Sequence, residues 1–178
     1  MAAYAILDTL LSRLPAVASE SPYAAEVIPY LVSVWLADYE RTSPNNEVVE
    51  TSAQGFSYLF DLRHERLLAA WGVSQGKSGE LRDKSRMKGH PKGAGQHYHR
   101  GHAIPHSLGG PTDINLVPQR GSVNVGAFRA LEIEAVATPG ALYFTYWIYG
   151  PSSEQRPIGV DQGLLVPGRP ARIKRHPN

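Results

Sequence analysis

The chain contains no cysteine. That absence removes thiolate zinc sites, disulfide frameworks and cysteine nucleophiles in one step, while leaving the compartment open. No apolar run approaches the roughly 20 residues that a membrane helix needs. The apolar stretch between Met1 and Ala18 is interrupted by Asp8, Arg13 and Pro15 and has no basic segment ahead of it, so it does not read as a signal peptide. The expectation is a soluble protein, cytoplasmic or exported by a non-classical route, with no membrane partner. There is also no internal repeat and no heptad array, which excludes solenoids and coiled coils.

What is present is ordinary globular composition. Of 178 residues, 42% are hydrophobic and 19% charged, enough to bury a core without crosslinks. This length fits one domain, or a core domain with an appended segment. Net charge is only +2, but the charges are unevenly spread. Lys77, Arg82, Lys84, Arg86, Lys88, Lys92 and Arg100 crowd one segment against Glu80 and Asp83 alone. The last ten residues add Arg169, Arg172, Lys174 and Arg175 with no acid. Two basic segments on a nearly neutral chain suggest a polyanionic partner, although a solubilising loop and a frayed tail read equally well from charge alone.

Apolar spacing predicts a helix over residues 3–14, and a second from Pro22 to about Asp38 in which Pro29 marks a kink or the true start. Ser43–Asn46 reads as a turn. Phe56–Phe60 and Leu67–Val73 read as short apolar elements, and the glycine-rich, charged stretch 74–96 as a long loop. Beyond it come short strands at 97–104 and 115–119, a helix from Ser122 to about Ala137, a strand at Leu142–Tyr149 and a partner strand at Ile158–Val166. The domain expectation is a helical segment over 1–50 and a catalytic domain over 51–178, with its core at 97–137.

The chemistry concentrates between residues 97 and 135. Four histidines, His97, His99, His102 and His106, precede Asn115, Asn124 and Glu132. Such density of imidazole suits acid–base work or metal binding near neutral pH. Asn124 and Glu132 are eight residues apart, near two turns at about 3.6 residues each, so one helix presents them to roughly one side. A strand carrying histidine and a helix carrying amide and carboxylate can surround one cation. That is what metal-assisted phosphodiester hydrolysis requires: a base for water on one side of phosphorus and a Lewis acid for the leaving oxygen on the other. Taken singly, each residue has a plainer reading: Asn124 as a helix cap, Glu132 as a solvated helix residue, His97 and His106 as loop histidines. Gly109-Gly110 is a turn and not a phosphate cradle.

The run His99-Arg100-Gly101-His102 resembles the DRGH motif of the DNA/RNA non-specific endonuclease family, whose fold is the ββα-metal, or His-Me, finger. The resemblance continues through Leu108-Gly109-Gly110, Asn115-Leu116-Val117-Pro118-Gln119 and Asn124 to Leu131-Glu132, about forty residues in family order. It implies an α+β fold: a ββα-metal core with flanking antiparallel strands, preceded by a helical segment. It implies that His102 is the general base and Asn124 the ligand of a mostly hydrated Mg2+. Glu132 is then the carboxylate orienting the metal's waters, Arg100 the contact to the substrate phosphate, and Asn115 a structural residue. Magnesium keeps several waters, so one amide oxygen and one outer carboxylate suffice. A base must be neutral, so activity is expected to fall below about pH 6.5 if His102 titrates normally.

Two positions depart from the pattern. His99 stands where the family has aspartate, which predicts a shift toward Mn2+ or another imidazole-accepting divalent metal, with His99 as a ligand. The family's upstream arginine has no obvious counterpart, leaving Arg82 or Arg86 as substitutes. The expected substrate is DNA and/or RNA, held by Arg100, Arg82, Lys84, Arg86 and Lys88 through the phosphate backbone. Two other readings stand beside it: a weakened nuclease fold that only binds nucleic acid, and a zinc-organised HNH-like module. A toxin with an immunity or inhibitor partner, a defence effector and a degradative enzyme are the roles such a nuclease would fill.

Overall fold

The structure, a computed structural model, describes residues 1–15, 22–79, 91, 94–151 and 154–178, with the backbone alone at 124 and 125. Two helices, α1 (Leu7–Ser12) and α2 (Val27–Thr42), precede the first strands. Pro29 sits in the first turn of α2, where a missing N–H costs nothing because that turn's donors have no partner inside the helix.

Six strands form one antiparallel sheet: β1 (Val48–Ala53), β2 (Phe56–Asp61), β3 (Arg66–Val73), β6 (Leu142–Ile148), β7 (Gly159–Leu165) and β8 (Arg172–Pro177), in that spatial order. β1 spans position 50, the expected end of the N-terminal helical segment. Side chains of α1 and α2 belong to the same buried core as the sheet. The centre of the sheet is covered on both faces, so β3 and β7 are buried almost throughout and read as unbroken runs without alternation.

On one face Trp35 of α2 lies 5.3 to 6.0 Å, centroid to centroid, from Trp71, Phe144 and Tyr146. Its indole N–H donates to the Tyr4 hydroxyl at 3.2 Å. Such aromatic groupings add about 0.5–1.5 kcal/mol per pair beyond the area they bury. Tyr143, Thr145 and Trp147, the alternate residues of β6, face the other side, where Trp147 meets Phe128 at 6.1 Å.

That second face receives an excursion of the chain between β3 and β6. It contains a two-stranded antiparallel hairpin, β4 (Tyr98–His102) and β5 (Leu116–Arg120), a π turn at Val123–Ala127, and α3 (Arg129–Ala137). Ser74 closes its root. The Ser74 N–H donates to Ala141 O, its carbonyl accepts from Gly140 N, and its hydroxyl donates to Ala135 O at 2.7 Å.

The helix expected without interruption from Ser122 is therefore divided. Phe128 N–H reaches back to Val123 O, one residue further than α-helical closure. The tail is not frayed but forms β8. Within it, Arg175 clamps Asp161 at 2.5 and 2.6 Å, and Arg172 pairs with Glu134. Those two tail charges are already compensated, which corrects the picture of a free basic tail. Among the described residues no helix is long and apolar enough to cross a membrane.

Candidate active site

The β4–β5 register pairs Tyr98 with Arg120, His99 with Gln119, Gly101 with Val117 and His102 with Leu116. Alternation along β4 puts Tyr98, Arg100 and His102 on one face and His99 on the other. The structure thus separates His99 from His102, and the metal ligation expected for His99 does not bring it to the His102 side of the hairpin.

The close passage of the strands explains Gly101. A Cβ there would meet Gln119 Oε1 at 2.2 Å. Gln119 is fully buried, and its amide finds no hydrogen-bond partner among the described residues. Sequence reasoning gives it no role beyond membership of the Asn115–Gln119 segment.

His102 ends β4 and is 7% exposed. The chain then turns through Ala103 and Ile104, held by Asn115. The Asn115 Oδ1 accepts from Ile104 N at 2.7 Å, while its Nδ2 donates to Ile104 O and Pro111 O at 2.8 and 2.9 Å. Asn115 is a clamp on the loop, fully buried. Gly110 completes the fit, because a Cβ there would lie 1.9 Å from Ile104 O. Thr145 of the large sheet donates to Ala103 O at 3.3 Å and anchors the loop to β6.

The clamped loop returns His106 toward His102, with ring centroids 6.2 Å apart. The sequence suggests a plain loop histidine. In the structure His106 is half-buried beside the candidate base, on a short turn (His106–Leu108) that packs against α3.

Glu132 lies in the first turn of α3 and is half-buried. Its charge is felt by Tyr143: burial, then the Glu132 carboxylate, pushes that phenol well above its ordinary range. The junction before it is held from below. Gln162 Nε2 donates to Phe128 O and to Tyr143 Oη, both at 2.9 Å, and Gln162 Oε1 lies 3.2 Å from His176 Nε2. Burial, and then the positive charge of Lys174, lower the His176 pKa and favour the neutral ring.

The backbone of Asn124 falls within the π turn. At about 100° per residue an eight-residue separation overshoots two α-helical turns by about 80°. The wider turn takes up part of that excess and brings position 124 nearer to register with position 132.

Arg100 is half-buried on the His102 face. Arg82, Lys84, Arg86 and Lys88, expected to hold the substrate, lie outside the described residues. Among the described residues no three histidine or carboxylate side chains converge as a metal cluster. α3 carries a carboxylate at Glu132, while Gln119, paired with His99, lies on the face of the hairpin away from His102.

No curated protein matches the chain. Two crystal structures of NucA from Streptococcus agalactiae, one with no metal bound and one with magnesium ion bound, share the fold. Each has a TM-score of 0.51 and 13% sequence identity, over 90% of this chain and 92% of that one. Residues 63–140 match the model of the DNA/RNA non-specific endonuclease family. That span runs from before β3 to just beyond α3 and holds the hairpin, the clamped loop, the π turn and Glu132. Through residues 63–140 the chain is similar to the DNA/RNA non-specific endonuclease family, and that match together with the NucA-like fold supports a nuclease.

Proposed function

We propose that the protein is a divalent-metal-dependent, sugar-nonspecific endonuclease in which His102 is the general base. The observation that carries this reading is the position of His102: buried at the end of β4, on a clamped loop that packs against the helix bearing Glu132, inside the matched segment. Asn124 and Glu132 are the residues that would hold a hydrated magnesium ion, the first through its amide oxygen and the second through the ion's waters. His99, on the other face of the hairpin, is left out of this set. When bound, the ion would stabilise negative charge on the leaving oxygen.

The remaining work falls to the chain itself. A neutral His102 takes a proton from the attacking water, and the Arg100 guanidinium holds a non-bridging phosphate oxygen. Base identity is not read by these groups, and no contact to a 2′-hydroxyl is needed, so both DNA and RNA are expected substrates. The magnesium ion in one NucA structure is consistent with this metal.

Digestion of supercoiled plasmid and of structured RNA, with magnesium, manganese or chelator and beside His102→Ala, tests the proposal. Cleavage that needs metal and disappears in the variant supports it. Cleavage that survives in the variant removes His102 from its role. Intact nucleic acid with clean retardation on a gel would mean a binding module.

A further inference from the structure

We propose that the cleft at the far end of the hairpin from His102 is a phosphate subsite, which seats the nucleic-acid strand several nucleotides from the bond that is cut. The inference rests on the nuclease reading and adds a substrate-binding locus to it. The cleft has a volume of about 680 Å³, and its polar lining is Gln96, His97, His99, Arg120, Ser122 and Arg156. Among the described residues no carboxylate lines it. Every polar side chain there can donate to an oxyanion.

The donors are held in place by the fold. Arg120 is paired across the ladder with Tyr98, and its N–H donates to Asn178 Oδ1 at 2.8 Å. The Gly121 N–H donates to His97 O at 3.1 Å, and the His99 ring lies directly over Gly121. The Arg156 guanidinium sits 5.4 Å above the Tyr98 ring.

Among the described residues nothing ion-pairs with Arg120, His97 or His99. Arg156 does meet an acid, Glu154, at 3.0 Å, but both partners are substantially exposed. Exposed pairs of this kind contribute at most about 1 kcal/mol, so a phosphate can displace the carboxylate. A planar guanidinium matches phosphate geometry, and a concave site whose cations outnumber its one exposed acid favours a polyanion over a neutral ligand.

Spacing links the cleft to the reaction. Tyr98 and His102 are the two ends of β4, which at about 3.3 Å per residue puts them about 13 Å apart. That is on the order of four phosphates at the duplex rise of about 3.4 Å. A strand cut beside His102 reaches the cleft only if it extends that far. Contacts to phosphate alone position a strand without reading its sequence, as a non-specific nuclease needs.

The test is the dependence on substrate length of Arg120→Gln/Arg156→Gln. Fluorescence anisotropy on the His102→Ala background, in chelator, would use labelled single strands of about three and about twelve nucleotides. The expected result is that the longer strand binds about tenfold more weakly and its salt slope falls by about 0.7 for each phosphate no longer neutralised. Binding of the shorter strand stays unchanged. In the catalytically intact protein, KM for long substrate rises while kcat holds.

An unchanged affinity for the long strand, or equal losses at both lengths, overturns the subsite. If the double variant does not fold, His97→Gln, at an exposed side chain, reads the same length dependence. Plasmid digestion by the unmodified protein separates the two ideas. Cleavage with no length dependence sinks the subsite alone, and length-dependent binding without cleavage sinks the nuclease reading alone. A protein that binds neither strand sinks both.

Discussion

The large sheet and the excursion that hangs from it solve different problems with the same chain. In the sheet and its helices, the buried charges of Asp61 and Arg66 are compensated in place, although the Tyr58 hydroxyl and the Trp147 indole N–H find no partner among the described residues. Asp61, fully buried, accepts from Tyr39 at 2.6 Å and from the N–H groups of Glu47 and Arg63, and lies 2.6 Å from His64 Nδ1. Arg66 donates to Tyr39, Ser43 and the Glu154 carbonyl and stacks over Tyr149. In the excursion a buried amide at Gln119 goes without a partner among the described residues, a helix opens into a π turn, and a histidine is buried at a strand end. Irregularity of this kind costs stability and is tolerated where chemistry needs it. The contrast sets a scaffold with paired buried charges against an excursion that holds the proposed reactive groups, and each half can be tested.

The largest expected effect is on activity alone. His102→Ala should lower plasmid cleavage by about 10²–10⁴-fold, with a melting temperature close to that of the unmodified protein. A large loss of stability instead would make His102 part of the scaffold. Trp35→Ala is the mirror case. Removing this fully buried ring should cost about 3–5 kcal/mol in urea denaturation. The rate per folded molecule should be preserved.

A smaller effect concerns acid. Burial alone would raise the Asp61 pKa, but the hydrogen bonds from Tyr39, Glu47 N–H, His64 and Arg63 N–H outweigh it, bringing it from 3.8 to about 2. A depressed carboxyl stabilises the folded state above its unfolded value and loses that contribution as pH falls through the folded one. About 2 kcal/mol should therefore disappear between about pH 4 and pH 2, read by denaturation at stepped pH, and Asp61→Asn should flatten that slope.

The smallest effect is the sharpest for the comparison. Gln119→Leu should leave stability unchanged or raise it by about 1 kcal/mol, because it removes an unsatisfied buried amide. A clear loss of stability in thermal melts would show the amide to be well paired, and the contrast between the two regions would weaken.

The two regions also differ in how far the sequence reveals them. The excursion announces itself through residue types that have little other use together: histidine at strand spacing, an asparagine that clamps a loop, glycines where a carbonyl or amide passes close. The long central strands are visible as apolar runs. The edges are not. β1 is largely exposed and polar, and its position is set by its register with β2, which composition does not encode. β8 is hidden behind its basic residues. The partners that compensate them, Glu134 and Asp161, lie on other elements, so charge counting sees free cations where the fold has ion pairs.

The π turn is invisible in the sequence for a related reason. Apolar periodicity averages over a window and does not resolve one extra residue in a single turn. His106 reads as an ordinary loop residue because its proximity to His102 depends on the Asn115 clamp and not on sequence spacing.

The Ser74 clasp has a topological consequence. Because Ser74 binds Gly140 and Ala141 directly, the ends of the excursion are held together as closely as the ends of a short hairpin connection. To the sheet, everything between them is one closed loop. The entropy of closing such a loop grows only logarithmically with length, by about 0.6 kcal/mol per doubling. Insertions between β3 and β4 therefore place little load on the scaffold, and the inserted segment can vary in length and content while the β3–β6 pairing beneath it stays in register.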